Sequence, residues 1–443
     1  MRLFFVGDAV MISFFKKLWS NKRGNTLAIA AASMPLFIGA AGLASDTIQW
    51  TLWKRQLQRA ADSAAIAGVY DRESESGGTT NTAAAVARDL SINLHTFYSL
   101  QTGKANCSGT CTISYPANSG VVTNQVTVTI SIQKPLAFSS FFLSSAPVIT
   151  ATTTAGSIPA GGSACMQALE SSASATGISN IGNTTVTAPT CILYSNSPST
   201  NSASAGGSSS VTAKAIAAVG GIQQSSNWVV QQYIPYSPPL ADPFANVTPD
   251  PTQMHCTGSA LTETTNVSTL GTTNCFSSLS VKSNKSLNMG SYSGPIYING
   301  GSVDLKGAFT CNGCTIVLTN SSTASNATIG SFTSNAQATN NITAPTTGTF
   351  KGIAVYQDRR ATGNTDKING GSNNVIQGAV YFPSDVLQIN GSGNAVSLCA
   401  MWIAKDISLL GNSSIAISSP DDSSCSGSGM PSNSSVKMVR LVA

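Results

Sequence analysis

Ten cysteines, two histidines and a thin scatter of carboxylates are the side chains of this 443-residue chain whose spacing bears most directly on chemistry. The cysteines are Cys107, Cys111, Cys165, Cys191, Cys256, Cys275, Cys311, Cys314, Cys399 and Cys425. An even set, all beyond the first hundred positions, points to disulfides and an oxidising compartment. Pairing in sequential order would close five short loops, although spacing alone does not fix the connectivity. Cys311-Asn-Gly-Cys314 also has the spacing of a redox or zinc pair. A redox pair needs its first cysteine at a helix N-terminus and zinc needs two further ligands; a turn disulfide needs neither. His95 and His255 are the only histidines, which excludes a His-Glu-x-x-His site and leaves no plausible His-based triad, and the chain has no P-loop and no dinucleotide fingerprint. Glycoside hydrolysis by paired carboxylates needs two acids about 5 to 10 Å apart. Asp304, Asp358, Asp366, Asp385 and Asp406 are the acids of the C-terminal repetitive block, and a repeat that stacks Ile368, Ile389 and Leu410 would stack only Asp385 on Asp406. Two such side chains, about 4.8 Å apart, suit a cation or a solvated outer turn. Asp358-Arg359-Arg360 reads as a local ion pair or the cap of a turn. The expectation is a protein that is not an enzyme, with no catalytic residue, cofactor or metal.

The elements that must position these residues begin with one helix. No residue between Arg23 and Asp46 is charged, and the stretch from Gly24 to Ser45 would make a helix of about 33 Å, against a hydrocarbon core of about 30 Å. Arg2, Lys16, Lys17, Lys22 and Arg23 crowd the N-terminal flank, which favours that end inside and the bulk outside. Trp19 on one side, and Trp50 and Trp53 on the other, suit the two lipid–water boundaries, and Pro35 should bend the helix. A cleaved secretory signal would have a shorter apolar run and an unrelated mature start. Ala44-Ser45-Asp46 offers weak cleavage chemistry, and helical patterning continues through Leu52, Leu57, Ala61, Ala64, Ala65 and Gly68, so an uncleaved anchor is expected. Ala60, Ala61, Ala64, Ala65 and Gly68 form a small-residue stripe suited to close packing against a partner helix. Charged residues make up 9% of the chain, against about 25% in an average globular protein. With a net charge of +5 and no basic block beyond the membrane flank, nucleic acid is not a partner.

The runs Arg23-Gly-Asn-Thr-Leu-Ala-Ile-Ala, Pro35-Leu-Phe-Ile-Gly-Ala-Ala-Gly-Leu-Ala-Ser-Asp46 and Leu57-Gln-Arg-Ala-Ala-Asp-Ser-Ala-Ala-Ile-Ala-Gly68 resemble the N-terminal segment of TadG-like proteins (the TadE/TadG family) of the tight-adherence, or Flp, pilus-assembly machinery. The resemblance lies mainly over 23–70. A looser one covers Gly352-Ile-Ala-Val-Tyr-Gln-Asp-Arg-Arg-Ala361 and Gly378-Ala-Val-Tyr-Phe-Pro383. It implies an inner-membrane anchor and other pilus-assembly proteins as partners. Processed prepilins carry a Glu at the fifth position after the cleaved Gly; counted from Gly24 that residue is Ile29, so pilin processing is not expected. Some relatives have a von Willebrand-type metal loop, Asp-x-Ser-x-Ser. Asp422-Ser-Ser-Cys-Ser426 matches those letters, but that loop should open a domain, and the stretch from Ser426 to Ala443 is too short to form one.

After the anchor, Thr82 to Leu100 reads as a helix with Ala85, Val86, Leu90, Leu94 and Phe97 on one face. Val121 to Ile132 and Pro147 to Thr154 read as strands, completing a pilin-like α/β module. From about Gly161 the chain repeats. Asn183-Thr-Thr-Val-Thr-Ala188 returns as Ser208-Ser-Ser-Val-Thr-Ala213. Ile298-Asn-Gly-Gly-Ser302 returns at Ile368, as Ile389-Asn-Gly-Ser392 and as Leu410-Gly-Asn-Ser413, the last three evenly spaced. Short strands joined by Asn/Gly/Ser turns, at a period of about 20 to 25 residues, fit a parallel β-helix, or solenoid. A β-sandwich is the alternative, and disorder is another for 195–210 and 321–347.

The expected fold is α+β and membrane-anchored: a cytoplasmic N-terminus (1–23), a transmembrane helix (24–46), the pilin-like module (47–160), solenoid coils (161–222), a Pro-rich excursion or hinge (223–275), further coils (276–420) and a tail (421–443). The expected function is a non-enzymatic part of Flp pilus assembly or Tad secretion in the bacterial inner membrane. A disulfide-braced periplasmic β-domain would serve protein interaction or adhesion. The alternatives are a carbohydrate-binding or carbohydrate-acting β-helix on a borrowed anchor, using Asp358, Asp385 and Asp406, and an adhesin shed from the membrane.

Overall fold

The computed structural model describes residue 16 and residues 25–94, 111–369, 374–390, 394–397, 399–412, 414–419, 425, 427–431 and 435–442. Trp19, His95, Phe97, Cys107 and most of the Asp422–Ser426 run lie outside the described residues. The chain forms two compact units, Met1–Ser157 with Arg440–Ala443, and Ile158–Val439.

The first unit is organised by one 50-residue helix, α1 (Asn25–Ser74), which contains Pro35. Its surroundings change along its length. Ile29, Met34, Leu36, Phe37, Ile38 and Leu43 are exposed, whereas Trp53, Leu57, Ala60, Ala61, Ala64, Ala65 and Val69 are buried. The apolar part is long and apolar enough to cross a membrane. Trp53, expected at a lipid–water boundary, is instead in the core of the unit. A turn closed by Glu75, whose carboxylate accepts from the backbone N–H groups of Thr80 and Asn81, leads into α2 (Thr82–Asn93). Three antiparallel strands follow: β1 (Cys111–Ser114), β2 (Thr123–Gln133) and β3 (Val148–Pro159). The chain's last strand, Lys437–Leu441, extends the order β1-β2-β3, so the segment expected as a tail is partly a strand. Alternation on β2 buries Val126, Val128 and Ile130, while Thr127 and Thr129 pair with Thr154 and Thr152 on the other face.

The second unit is a large β-rich region whose strand pairs are parallel among the described residues. Three ladders run through it. In one, Ile296, Ile316, Val355, Val380, Trp402, Met166, Leu193 and Ile216 occupy successive register positions and are fully buried. This column of stacked apolar side chains is the main core. At the next register position Tyr297, Val317, Tyr356, Tyr381, Ile403, Gln167, Tyr194 and Ala217 point the opposite way and are buried too, so something else must cover them.

The cover is the Pro-rich segment. Met401–Leu409 pairs with Ala164–Ala168, so the unit's first strand in sequence lies in the middle of the ladder, not at an end. From there the chain runs to one end at Trp228–Ile234, passes to the other end at Leu261–Thr262, and works back to the middle. The crossing segment touches the layers in turn. The Ser237 N–H donates to Ala218, the Tyr194 hydroxyl to Pro238, Gln167 Nε2 to Leu240 and the Tyr356 hydroxyl to Val247, and the His255 N–H donates to Asn274. Within the expected excursion or hinge at 223–275, strands Trp228–Ile234, Leu261–Thr262 and Cys275–Phe276 belong to the ladders, and the residues from Ser237 to His255 lie on the sheet as a strap. The alternative of disorder is likewise replaced by strands at Ala203–Ala205, Phe332–Ser334 and Thr339–Thr343.

Candidate functional site

The residues that could carry function in the first unit lie on the second half of α1. Ala60, Ala61, Ala64, Ala65 and Gly68 are all buried, on the face that meets α2 and β2. A Cβ added at Gly68 would stand 2.9 Å from Val126 and 3.0 Å from Val86, so only glycine lets helix and sheet approach this closely. The stripe expected to receive a partner helix is therefore filled by the chain's own α2 and β2. Small side chains drive close approach whether the second element comes from another chain or from the same one. Polar contacts secure the same half of the helix at each turn. Gln58 Nε2 donates to Asp62 (2.9 Å) and to the Thr153 hydroxyl (2.6 Å), and that hydroxyl donates to Asp62 (2.6 Å). The Ser63 hydroxyl donates to Asp89 at 3.0 Å, the Thr82 hydroxyl to Asp71 at 2.9 Å, and Arg72 Nη1 to the Gln125 carbonyl at 2.7 Å. Nearer the membrane segment, Asp46 is buried and accepts the Ser139 N–H at 2.5 Å. The sequence marked Asp62 only as part of a motif; its link to Thr153 joins positions 91 residues apart, which no local pattern shows.

In the second unit Asp358, Arg359 and Arg360 are engaged by neighbouring groups of the same unit. Asp358 accepts from Arg360 (2.8 Å) and from the Thr319 hydroxyl (2.7 Å); burial raises its pKa, but these hydrogen bonds outweigh it and hold the carboxyl below its ordinary range. Arg359 reaches the strap instead, donating to Asp242 (2.9 Å) and to the Phe244 carbonyl (2.7 Å). The Tyr381 hydroxyl donates to the same Asp242 at 2.7 Å, and burial, with Asp242 beside it, holds that phenol protonated far above its usual range. The Phe244 ring meets Tyr381 edge-on at 5.5 Å.

The expected Asp385–Asp406 stack does not form. The offset between facing residues is 22 at Phe382–Ala404 and 20 at Val386–Asp406, so an irregularity between them takes Asp385 out of register with Asp406. Asp385 is buried and accepts from the Asn364 backbone and side chain. Asp406 lies instead by Glu170, and burial together with that neighbouring carboxylate pushes its pKa up to about 6. Asp366 is fully buried, and burial, with Asp385 nearby, pushes it up to about 8.

Four disulfides join Cys165–Cys191, Cys256–Cys275, Cys311–Cys314 and Cys399–Cys425, each a sequential pair. Cys111 is also disulfide-bonded, while Cys107 lies outside the described residues. Cys311 and Cys314 flank Gly313, at a turn between Ala308–Asn312 and Cys314–Thr319 rather than at a helix start. Among the described residues no group of three or more His, Cys, Asp or Glu side chains is placed to hold a metal ion.

Comparison with curated proteins and with solved structures finds no match for this chain. Comparison with protein families finds one, over the long helix, its buried stripe and the start of α2. Residues 24–87 match the family described as "Putative Flp pilus-assembly TadE/G-like", so the chain carries a TadE/G-like segment, fused to a β-rich unit that lies beyond the match.

Proposed function

We propose that this protein is a non-enzymatic component of Flp pilus assembly or Tad secretion. The apolar half of α1 anchors it in the bacterial inner membrane, and its β-rich unit lies in the periplasm as a surface for protein interaction or adhesion. The observation that carries this reading is the coincidence of the TadE/G-like match at 24–87 with a helix that is apolar and exposed at one end and locked into a module at the other. The basic N-terminal flank supports the orientation, and the disulfides support an oxidising compartment. We also infer that the three parallel ladders wind as a β-helix. From Cys275–Phe276 to Ile353–Gln357 each strand faces the third one after it, as three-strand coils require; beyond them the long strands Ala379–Asn390 and Met401–Leu409 each take part in two ladders, and the apolar columns fill the inside. The glycan-acting alternative gains nothing from Asp358 and Asp385, which are buried and engaged by Arg360, Thr319 and Asn364. Affinity capture of the full-length protein from membranes of its own cells tests the proposal. Other pilus-assembly proteins should co-purify, and a capture that repeatedly lacks them would refute it. A protease added to the periplasmic side should reach the β-rich unit; protection there would refute the orientation.

A further inference from the structure

The segment between β2 and β3 holds an apolar turn that the packing of the unit leaves uncovered. Phe141 is 84% exposed, Phe142 68%, Leu143 45% and Phe138 37%. After Lys134 the chain carries no charge until Glu170. The 3-10 turn at its centre, Ser139–Phe141, packs against α1. The contact is at Gly42, where an added Cβ would fall inside the Phe138 ring. Gly42 lies one helical turn, about 6 Å along the helix, on the N-terminal side of Asp46, the first charge after the apolar run. The helix is still exposed and apolar at this level, with Leu43 before Asp46 and Ile48 and Leu52 beyond it.

The backbone of the turn fits the same surroundings. A lipid-facing segment must satisfy its N–H groups internally, because hydrocarbon offers no acceptor. Here Ser140 donates to Leu136, Phe141 to Phe138, and both Phe142 and Leu143 to Ser139. The remaining N–H, that of Ser139, is taken by the buried carboxylate of Asp46. Five successive N–H groups therefore have protein acceptors, while the rings of Phe141 and Phe142 beside them are left largely uncovered by protein.

We propose that the Phe138–Leu143 turn inserts into the bilayer that α1 crosses, as a second membrane contact whose occupant is lipid acyl chain. The inference rests on the reading of α1 as a membrane-spanning helix. Its basis is continuity: the turn sits directly on the exposed apolar stretch of that helix. A helix alone leaves the module free to swivel about one axis, whereas a second contact beside it fixes which face of the module looks along the membrane.

The test is photo-crosslinking of the full-length protein in phosphatidylethanolamine/phosphatidylglycerol vesicles, with p-benzoylphenylalanine placed singly at Phe37, Phe141 or Tyr115. Tyr115 lies in the same unit beside Arg72, about 45 Å along α1 from Gly42. Mass spectrometry should find lipid adducts at 37 and 141, each at least about tenfold above those at 115. Lipid adducts at 37 with only protein adducts, or none, at 141 overturn the second contact and leave the anchor standing; protein adducts would identify a second copy or another partner as the occupant. Absence of lipid at 37 overturns the anchor itself and the inference with it. The three probes replace aromatic residues that are exposed or part-exposed, so folding is retained and can be checked by resistance of the β-rich unit to protease.

Discussion

Replacing Asp366 with asparagine should remove most of the pH dependence of the β-rich unit's stability. Asp366 is fully buried, and its Oδ1 accepts the Phe332 N–H at 2.6 Å. Its Oδ2 and the Oε1 of Gln357 are both buried without a hydrogen-bond partner. Burial, reinforced by Asp385, pushes the carboxyl up to about 8, whereas an aspartate in an unfolded chain titrates near 3.9. Below about pH 4 both states hold the proton, and this group's stability is fully present. Between about pH 4 and 8 the unfolded chain releases a proton that the folded chain keeps, so stability falls by about 1.4 kcal/mol per pH unit. Over the whole window the loss is on the order of 5 kcal/mol, comparable to the entire stability of a small domain. Asp366→Asn keeps the acceptor for Phe332 and cannot ionise. Urea titrations of the full chain in detergent, followed through the fully buried Trp402, should show the native midpoint dropping from about pH 6 to 8 and the variant's nearly level over that range. Between about pH 4 and 6 the variant should still lose stability, because there the folded chain keeps a proton on Asp406 that the unfolded chain releases. Equal slopes in the two proteins would show that Asp366 is ionised in the folded state and would defeat the reasoning.

Gly68→Val should destabilise the TadE/G-like module by about 1 to 3 kcal/mol, because Val86 and Val126 leave no room for it, while Gly39→Ala, with nothing within 4 Å, should be neutral; protease resistance of the module reads both. Arg359→Ala should loosen the strap by about 2 kcal/mol and make 238–256 the first site of proteolysis, since Asp242 keeps the Tyr381 hydroxyl but loses its cationic partner and the Phe244 carbonyl loses the guanidinium donor. Changing Cys256 and Cys275 together to serine should lower the urea midpoint by the equivalent of about 3 kcal/mol, as expected for a bond across 19 residues, and an unchanged midpoint would mean that the strap is held by its side chains alone.

Local and periodic features of the fold were legible in the sequence. The run from Gly24 to Ser45 announces its helix because one composition persists without charge. The repeat Thr185–Ala188 against Ser210–Ala213 gives the register found, Val186 facing Val211. The later repeats gave less. Ile368 does face Ile389, but Ile389 faces Leu409 rather than Leu410, and Ile298 faces Leu318 in a different ladder from Ile368. Identical turn residues recur wherever a corner needs a left-handed glycine, so the motif marks corners without saying which. Gly182 and Gly411 are such a pair, both at positive φ and with their backbones too close for a Cβ. The strap, the Asp242–Arg359–Tyr381 cluster and the Asp46–Ser139 bond were hidden because each joins residues more than ninety positions apart or depends on the layer order. The small-residue stripe was visible as a packing surface, but nothing in its composition distinguishes a neighbour in the same chain from one in another.

The mid-ladder start at Ala164 has a consequence for biogenesis. Synthesis delivers Ala164–Ala168 long before Met401–Leu409, the strand that must lie along it. Until that distant segment arrives, the early strands present an open row of N–H and C=O groups to anything extended nearby. A nascent chain in that condition invites strand exchange with its sibling molecules, and a late truncation that removes Met401–Leu409 would leave that edge permanently unprotected.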